Sequence, residues 1–571
     1  MPLLTYPEFT PHFKRQDWVL PTVLEQQATT RPDSPCLSWT DTGPAHSFAE
    51  VNAIANRLAR GFAKRGVARG DFVVLFLPNC LEYVFAWFAL AKLGAIEVTV
   101  GDGYKGSFLQ HQAGLSKARL IVTTTQLLPQ LVEVETGLAD LGYCILIDAA
   151  QHTADAAAQF KRIGISDFAD LYDDDASNLG IQVSPEDVAA VLFTSGTTGL
   201  SKGVVMPHSQ FYFYAEEDVQ LVGLLPQDVY MTAFPLFHGN AQFLTVYPSL
   251  IAGAHCVLYS RFNASDFIGR ARRSGATVCN LVGSTLAFIC AQPPQADDKD
   301  HQLRCIYAAP LSPDLADVFY ERFGKVEFVD GFGQTEISNI FMTPRGAIRP
   351  PGASGVLMDQ WFEVRIADPE TDAALPEGQV GELLVRPKFP GTLSNGYLGM
   401  PEKTLEAWRN LWFHTGDALR CDAQGWYYFV DRVKDSLRRR GENISSFEVE
   451  AVVRSHPAVA ECGVVAVKED ERGGEDEVKA CVVLNAGVTT TYEELVRWCD
   501  ERMPSFMVPR FIEYFDALPQ TPSQKIRKKE LRERGVTATT WDRVSAGCLL
   551  QSERRRKSGP QTTATQKDRT P

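Results

Sequence analysis

The segment VLFTSGTTGLSKGVVMPH, residues 191–208, carries the strongest signal in this chain. An apolar strand runs into a loop of Thr, Ser and Gly with one lysine. Glycines let backbone N–H groups approach an anion, hydroxyls add donors, and the lysine adds compact positive charge. The loop therefore predicts a phosphate cradle, although its spacing differs from Walker A and a flexible polar turn is the alternative. The residues predicted to contact phosphate are Thr194, Ser195, Gly196, Thr197, Thr198, Gly199 and Lys202.

Composition restricts the class of protein around this loop. The 571 residues are 45% hydrophobic and 22% charged, which is typical of a globular chain of about two to four domains. The net charge of −14 argues against binding nucleic acid or anionic membranes through the overall field, so phosphate must be held locally. The 12 cysteines include no CxxC pair, which predicts reduced thiols and no zinc site.

Targeting and membrane signals are weak. The first residues lack the basic patch and apolar run of a signal peptide, and the terminal Arg-Thr-Pro differs from the peroxisomal Ser-Lys-Leu. The most apolar stretch, residues 82–100, contains Lys92 and Gly94 and falls short of an uninterrupted span of about 20 apolar residues. We expect a buried helix running into a strand, no transmembrane segment and a cytoplasmic location.

The pattern along the chain predicts an α/β fold. From about residue 20 to 430, helix-like segments such as 51–65 alternate with apolar strand candidates at 72–77, 120–123 and 188–193. Short strand candidates after about residue 350 predict a small β-rich subdomain. Helix and strand patterns after Asp431 predict a compact α+β domain that ends near Gly535, and the polar segment 551–571 predicts a disordered tail. The predicted domains are 1–431, with the β-rich part at about 350–431, then 432–535 and 536–571.

Five further segments follow in an order that resembles the adenylate-forming enzymes, which include acyl-CoA synthetases, luciferases and the adenylation domains of peptide synthetases. The resemblance covers roughly residues 20–535 and is greatest to the crotonobetaine/carnitine-CoA ligase branch. It implies a large N-terminal domain and a mobile C-terminal lid. The segments are PLFHGN at 235–240, GFGQTE at 331–336, WFHTGD at 412–417, DRVKDSLRRRGENIS at 431–445 and PQTPSQKIRKKELRERG at 519–535.

The resemblance implies an ATP-dependent acyl-CoA synthetase. A carboxylate is a poor electrophile, so such an enzyme joins it to the α-phosphate of ATP, releases pyrophosphate, and lets the thiol of coenzyme A displace AMP. Glu336 would bind Mg²⁺ and Thr335 would meet the α-phosphate, although alone they could be an ordinary surface pair. Asp417 and Arg432 would hold the ribose, the alternatives being a turn aspartate and a solvated arginine. Further nucleotide contacts are implied at Gly331, Phe332, Gly333 and Gln334, with Phe332 in place of the usual tyrosine.

The resemblance also assigns roles in the C-terminal region. Lys525 would bridge the attacking carboxylate and the α-phosphate, although Gln524 replaces the usual glycine before it and Lys525 could be one more solvated charge. Lys434 would be the hinge about which the lid rotates between half-reactions. Pantetheine contacts are implied at Gly441, Glu442 and Asn443. The acyl pocket would be lined by His238, Gly283, Ala308, Ala309 and Pro310, although His238 could equally be a packing residue.

Two other functions stay open at this level. One is a stand-alone adenylating enzyme that delivers its acyl group to a separate carrier protein or another acceptor, since the segment after Gly535 is too short for a fused carrier domain. The other is a nucleotide-binding regulator without catalysis, which the retained lysines and carboxylates disfavour. The identity of the carboxylic acid and the oligomeric state are not predicted.

Overall fold

The computed structural model describes most of the chain: residues 4–40, 43–149, 153–194, 201–309, 311, 313–369, 371–432, 437–439, 442–444, 446–468, 476–519, 526 and 528–557. These residues divide into two compact units. Unit 1 ends at Arg432 and unit 2 begins at Leu437 among the described residues.

Unit 1 contains three sheets and the helices that cover them. Its strands are β1 Pro35–Trp39, β2 His46–Ser47, β3 Phe72–Phe76, β4 Ile96–Val100, β5 Leu120–Thr123, β6 Tyr143–Leu146, β7 Gly164–Asp167, β8 Val188–Thr194, β9 Lys202–Pro207, β10 Val229–Thr232, β11 His255–Leu258, β12 Val278–Leu281, β13 Cys305–Ala308, β14 Glu327–Val329, β15 Gly331–Gln334, β16 Ser338–Met342, β17 Gly355–Leu357, β18 Phe362–Ala367, β19 Gly381–Pro387, β20 Phe413–Cys421 and β21 Trp426–Arg432. Its helices are α1 Leu20–Thr30, α2 Phe48–Lys64, α3 Leu81–Leu93, α4 Gly106–Leu115, α5 Leu128–Val134, α6 Thr153–Ala157, α7 His208–Val222, α8 Gly239–Ala241, α9 Tyr247–Ala252, α10 Phe267–Ser274, α11 Gly283–Cys290, α12 Pro313–Phe323 and α13 Pro401–Ala407.

Two of the sheets are mainly parallel and the third is antiparallel. The seven-stranded orders are β7-β6-β5-β3-β4-β8-β9 and β14-β13-β12-β10-β11-β1-β2, each with one antiparallel strand at an edge. The third sheet, also seven-stranded, has the order β15-β16-β17-β21-β20-β19-β18. This architecture confirms the predicted α/β class. The β-rich sheet begins at Gly331, earlier than the predicted position of about 350, because β15 and β16 pair into it.

Strand β3 shows why continuous apolar runs mark the parallel sheets. Val73 and Leu75 lie in one apolar cluster, whereas Val74 and Phe76 lie in another, so both faces of the strand are buried. The strands predicted at 72–77, 120–123 and 188–193 are confirmed. All 12 cysteines are free thiols, as predicted.

The apolar stretch 82–100 folds as expected. It forms α3, buried on all sides, followed by β4, and Gly94 ends the helix in the left-handed conformation with φ 67°. Lys92 within α3 pairs with Glu25, 2.6 Å between Nζ and Oε1. Within the described ranges, no helix is long and apolar enough to cross a bilayer.

Unit 2 is a four-stranded sheet with helices and a separate two-stranded ladder. The strand order of the four-stranded sheet is β24 (Val459–Lys468), β25 (Asp476–Leu484), β26 (Phe511–Tyr514) and β27 (Trp541–Asp542). A capping box between Thr491 and Glu494 opens helix α15, Tyr492–Arg502. The elements are β22 Leu437–Arg439, β23 Glu442–Ile444, α14 Ser446–Arg454, β24 Val459–Lys468, β25 Asp476–Leu484, α15 Tyr492–Arg502, β26 Phe511–Tyr514, α16 Lys528–Arg534, β27 Trp541–Asp542 and α17 Gln551–Lys557.

The folded unit extends beyond the predicted end at Gly535. Strand β27 adds to the edge of the sheet, and the prediction of disorder from residue 551 is wrong for residues 551–557, which form α17. Arg543 is 2% exposed and pairs with Glu553, 2.7 Å apart, which holds α17 against the unit. Leu550 is also buried. The sequence does not reveal this contact, because Glu553 stands beside a basic run that is typical of a solvated tail and its partner Arg543 lies 10 residues earlier.

Candidate active site

The ends of the predicted phosphate loop lie on paired strands. Thr194 ends β8 and Lys202 begins β9, and the two face each other in the antiparallel register. Helix α4 fixes the end of the loop at Ser201, whose carbonyl oxygen lies 2.8 Å from Nε2 of His111. Gln112 donates its side-chain amide to the Ser201 hydroxyl, 3.2 Å away. The remaining predicted loop residues lie outside the described residues: Ser195, Gly196, Thr197, Thr198 and Gly199.

Glu336 brings the second predicted motif to the phosphate loop. It lies in the turn after β15 and is 7% exposed. Its Oε1 accepts a hydrogen bond from the Tyr397 hydroxyl at 3.0 Å and a longer one from the Thr194 hydroxyl at 3.4 Å. The Lys202 ammonium lies 4.1 Å from the centroid of the Tyr397 ring. Thr194, Lys202 and Glu336 therefore meet around one tyrosine.

Tyr397 was missed by the sequence reasoning. It reaches the site because the segment around it pairs with β9: Val205 donates to Gly396 O at 2.9 Å, and Leu398 donates to Gly203 O at 2.8 Å. Nothing local in SNGYLG distinguishes this tyrosine from a surface aromatic residue. Only the long-range pairing reveals its position.

The hairpin that carries Thr335 and Glu336 is tightly constrained. A Cβ on Gly333 would lie 2.1 Å from the carbonyl oxygen of Ser338, so only glycine fits this approach. Ser338 has a positive φ of 64°, a conformation that costs free energy for a residue with a side chain. Its hydroxyl donates to Thr392 O at 3.1 Å and helps to hold the turn. The motif is thus a strained turn that presents the Thr335–Glu336 pair.

The predicted ribose residues lie on neighbouring strands. Asp417 of β20 and Arg432 of β21 are paired in the antiparallel register. Gln334 donates its amide to Oδ2 of Asp417 at 2.6 Å and to Thr415 O at 3.1 Å. Gln334 therefore orients the Asp417 carboxylate, a contact that the sequence did not suggest. The Arg432 side chain lies outside the described part of the structure.

A buried acidic group supports the turn that carries Asp417. Glu382 accepts a hydrogen bond from the backbone N–H of Gly416 at 3.1 Å and lies 3.1 Å from Nδ1 of His414. Beside it, burial opposes ionisation of Asp372, but hydrogen bonds from Asn410 and Arg409 hold its pKa below the ordinary value. The hydrogen bond from Gly416 to the Glu382 carboxylate thus fixes the turn that carries Asp417.

Aromatic rings surround Phe332, one of the predicted nucleotide contacts. Phe332 is half-buried, with its ring centroid 6.0 Å from that of Phe429 and 5.8 Å from that of Phe341. Tyr214 stacks on Phe243 at 4.1 Å. Burial, followed by the charges of nearby carboxylates that include Glu336, raises the pKa of Tyr214, so its hydroxyl stays protonated.

The predicted acyl-pocket residues gather at the carboxyl ends of adjacent parallel strands. Gly283 begins α11 shortly after β12, and Ala308 ends β13, the strand beside β12, with Ala309 next in the chain. Asn280 of β12 donates to the carbonyl oxygens of Asn240, at 3.2 Å, and Leu244, at 2.9 Å. The first bond joins β12 to α8, and the second joins it to the π-helical segment Gln242–Val246, a geometry that often occurs near functional sites. Pro310 lies outside the described residues.

His238 lies at the entrance to the same segment. It follows β10 and caps α8, and its ring lies 4.5 Å from that of Phe237. A Cβ on Gly239 would lie 1.8 Å from the Phe243 ring, so the backbone after His238 packs closely against an aromatic residue. The position suits a residue that lines a pocket.

The residues present fit a magnesium ion held mainly by substrate phosphates. Glu336 offers a hard oxygen donor beside the phosphate loop, and one or two carboxylates are usual for Mg²⁺ bound with nucleotide. No cluster of three or more His, Cys, Asp or Glu that could hold a metal by itself occurs among the described residues.

The predicted sites of unit 2 are only partly described. Glu442 and Asn443 belong to β23, which pairs with β22. Lys434, Gly441 and Lys525 lie outside the described residues. Their roles stay predictions.

Comparisons with known proteins agree with this geometry. Residues 24–398 match the family model described as AMP-binding enzyme, and residues 448–525 match the AMP-binding enzyme C-terminal domain. The chain is 34% identical over 502 residues to a crotonobetaine/carnitine–CoA ligase of Escherichia coli O139:H28, covering 85% of this chain and 93% of that protein. A protein with the same description from Salmonella paratyphi A is 34% identical over 492 residues, again with 85% and 93% coverage.

Solved structures give the same result. An o-succinylbenzoate CoA synthetase from Bacillus subtilis superposes with a TM-score of 0.75 at 25% identity, covering 92% of this chain and 99% of that one. The anthranilate CoA ligase AuaEII superposes with a TM-score of 0.67 at 25% identity, covering 91% and 99%. Because both family domains and relatives at 34% identity cover most of its length, this chain belongs to the AMP-binding enzyme family and is an acid–thiol ligase.

Proposed function

We propose that this ligase activates a carboxylic acid as its acyl-adenylate at the site in unit 1 and then transfers the acyl group to coenzyme A. The observation that carries the proposal is the meeting of Thr194, Lys202 and Glu336 around Tyr397. A compact cation, a hydroxyl and a carboxylate at one point suit the phosphates of ATP and their counterion.

The nucleotide would lie between the β8–β9 hairpin, which carries the predicted phosphate loop, and the antiparallel sheet that includes β15 and β20. Asp417 has the acceptor oxygens needed for the ribose hydroxyls, and Gln334 orients it. Phe332 offers a ring face to adenine, and the hydroxyl that tyrosine would add is missing. Thr335 would meet the α-phosphate from the turn that Gly333 and Ser338 constrain.

Magnesium, when bound through Glu336, would neutralise phosphate charge and favour departure of pyrophosphate. The residues of this chain would do the remaining work at that step. Lys202 would offset charge on the phosphates, while the carboxylate of the acid attacks phosphorus and the bond to pyrophosphate breaks. Tyr397 would hold the Glu336 carboxylate in one orientation.

Lys525 would act in the same half-reaction. Its ammonium would bridge the attacking carboxylate oxygen and the α-phosphate, which share charge only as the new bond forms. After adenylation, the C-terminal domain would rotate about Lys434 and present Gly441, Glu442 and Asn443 to pantetheine. The thiol of coenzyme A would then attack the acyl carbon and expel AMP.

The acceptor and the acid complete the proposal. Coenzyme A is favoured as acceptor because the relatives described above are CoA ligases, and a separate carrier protein is the second candidate. The E. coli relative suggests a small or medium carboxylic acid, which would enter between His238 and the strand ends at Gly283 and Ala308. We expect the reaction to take place in the cytoplasm.

A panel of carboxylic acids tests this function. We expect AMP and pyrophosphate to form only when the acid and coenzyme A are both present, and ATP–pyrophosphate exchange to require the acid alone. Transfer to a carrier protein but not to coenzyme A would select the second acceptor. If nucleotide binds and no acid supports exchange, the chain would be a nucleotide-binding regulator.

A lysine variant tests the proposed catalytic residue. Lys525→Ala should suppress adenylation far more than thioester formation from a supplied acyl-adenylate, because its charge is needed only when the acyl–phosphate bond forms. Equal losses in both half-reactions would contradict the role of Lys525.

A further inference from the structure

One lysine in the basic run KIRKKELRER is half-buried and forms an ion pair. Lys528, the first residue of α16, places its ammonium 2.6 Å from Oε1 of Glu450 and donates to the Ser446 hydroxyl at 2.6 Å. Glu450 and Ser446 are both buried in α14, and Glu450 Oε1 also accepts from the Val464 N–H at 2.8 Å. Lys528 therefore fixes the start of α16 to α14 and β24.

The residue that follows Lys525 is fixed to the same strand. Ile526 packs against the apolar core of unit 2. A Cβ on Gly463 of β24 would lie 3.1 Å from atoms of both Ile526 and Leu531, so these side chains rest directly on the glycine. Two contacts, one apolar and one ionic, thus hold the chain one and three residues after Lys525.

The other end of α16 is held by a buried carboxylate. Glu513 of β26 accepts hydrogen bonds from Arg534 at 2.8 Å and from the Lys479 ammonium, and both Glu513 and Lys479 are almost fully buried. Lys479 also donates to Gly535 O at 2.6 Å. Helix α16 is thus anchored at both termini and forms a rigid base for the segment before it.

We propose that Lys528 is a positioning residue for adenylation: its bond to Glu450 and Ser446 sets where the chain delivers Lys525. The proposal rests on the proposed function of Lys525. Consecutive Cα atoms are 3.8 Å apart, so the three peptide units between Lys525 and Lys528 span at most about 11 Å. Ile526 and Lys528, one and three residues after Lys525 in the chain, are both held to unit 2.

Loss of this anchor should act on rate more than on binding. A misplacement of about 1 Å can cost roughly 100-fold in a step that depends on alignment. Lys528→Met keeps the apolar stem and removes the charge, so we expect adenylation kcat to fall about 10-fold to 100-fold. The KM values for ATP and the acid should change little, because the nucleotide residues named above lie in unit 1.

The experiment compares the two half-reactions in the full-length enzyme. ATP–pyrophosphate exchange reports adenylation, and thioester formation from a supplied acyl-adenylate reports the second step. Lys528→Arg should restore much of the adenylation rate because a guanidinium can still bind Glu450. The matched control is Lys468→Met, which removes an exposed ion pair to Asp476 (2.7 Å) at the far end of β24 and should leave both rates unchanged.

Each outcome decides the proposal. A selective loss of adenylation in Lys528→Met, with recovery in Lys528→Arg, supports it. Equal losses in both half-reactions together with a lowered melting temperature would show a merely structural role and overturn it. If Lys525→Ala suppresses adenylation and Lys528→Met does not, the positioning role alone fails. If Lys525→Ala leaves adenylation intact, the proposed function of Lys525 fails and this inference with it.

Discussion

The hydroxyl of Tyr397 offers a sharp test of the site in unit 1. Tyr397→Phe removes the donor that holds Glu336 Oε1 at 3.0 Å and keeps the ring beneath the Lys202 ammonium. Tyr397 is 7% exposed, so water cannot easily replace the lost donor. The only other hydrogen bond to that oxygen among the described residues is the 3.4 Å contact from Thr194.

The size of the effect follows from these contacts. A hydrogen bond to a charged group contributes about 1.5–3 kcal/mol, and the long Thr194 contact makes compensation small. About 1.4 kcal/mol corresponds to a tenfold change in affinity. Residues that orient a metal ligand typically change metal affinity by about 10-fold to 100-fold when mutated. We therefore expect the half-saturating Mg²⁺ concentration to rise at least about tenfold in Tyr397→Phe.

The assay is steady-state pyrophosphate release titrated with Mg²⁺ at fixed ATP, acid and coenzyme A. Tyr428→Phe is the matched control. It also removes a tyrosine hydroxyl, but this hydroxyl donates to Asp422 at 2.8 Å and contacts neither Glu336 nor Lys202. Tyr397→Leu also removes the ring beside the Lys202 ammonium, so this variant should in addition raise the KM for ATP. If Tyr397→Phe and Tyr428→Phe give the same Mg²⁺ curve as the unmodified enzyme, Tyr397 does not orient a metal ligand and the argument is wrong.

Three further predictions concern other contacts. Gln334→Leu removes the amide that orients the Asp417 carboxylate, which we propose holds the ribose, so the KM for ATP should rise about tenfold in steady-state assays; an unchanged KM would contradict this role. The hydrogen bond to Glu216 raises the pKa of His12 above 6.5, so its stabilisation is complete below pH 6.5 and is lost as pH rises through the raised value. Urea unfolding of His12→Gln should therefore show a loss of about 0.5–1 kcal/mol at pH 6 that disappears at high pH, a small value because the imidazole is 41% exposed. Gly333→Ala should lower the free energy of unfolding by about 1–3 kcal/mol, whereas Gly142→Ala, whose new carbon meets one atom at 3.9 Å, should change it little.

Much of unit 1 could be predicted because its signals are local. The buried strands read as short apolar runs since both of their faces are covered, as Val73 and Val74 show. The glycines and hydroxyls of the phosphate loop point to an anion because backbone geometry dictates their use. Gly333 is required by a backbone contact within its own hairpin. Such features leave a mark in a few consecutive residues.

Other features depend on partners far away in the sequence. Lys528 looks like every other charge in KIRKKELRER, and only the folded unit places Glu450 beside it. The same holds for Arg543, whose partner Glu553 lies in a segment that composition alone predicts to be disordered. A charged side chain gives no local sign of whether it will be solvated or buried with a partner. The sequence therefore underestimates the ordered part of unit 2.

The segment 394–398 joins the two motifs that carry Glu336 and Lys202. Ser394 donates its N–H to Glu336 O at 2.9 Å, and the residues after it pair with β9, the strand that begins at Lys202. The turn that carries Glu336 follows β15 of the antiparallel sheet, whereas β9 belongs to a mainly parallel sheet. Segment 394–398 nevertheless hydrogen-bonds to both. These backbone hydrogen bonds link the turn that carries Glu336 to the strand that begins at Lys202. In the proposed adenylation, a fixed arrangement of these two residues would lower the reorganisation needed as charge develops on the phosphates, which is the condition for electrostatic stabilisation of a transition state.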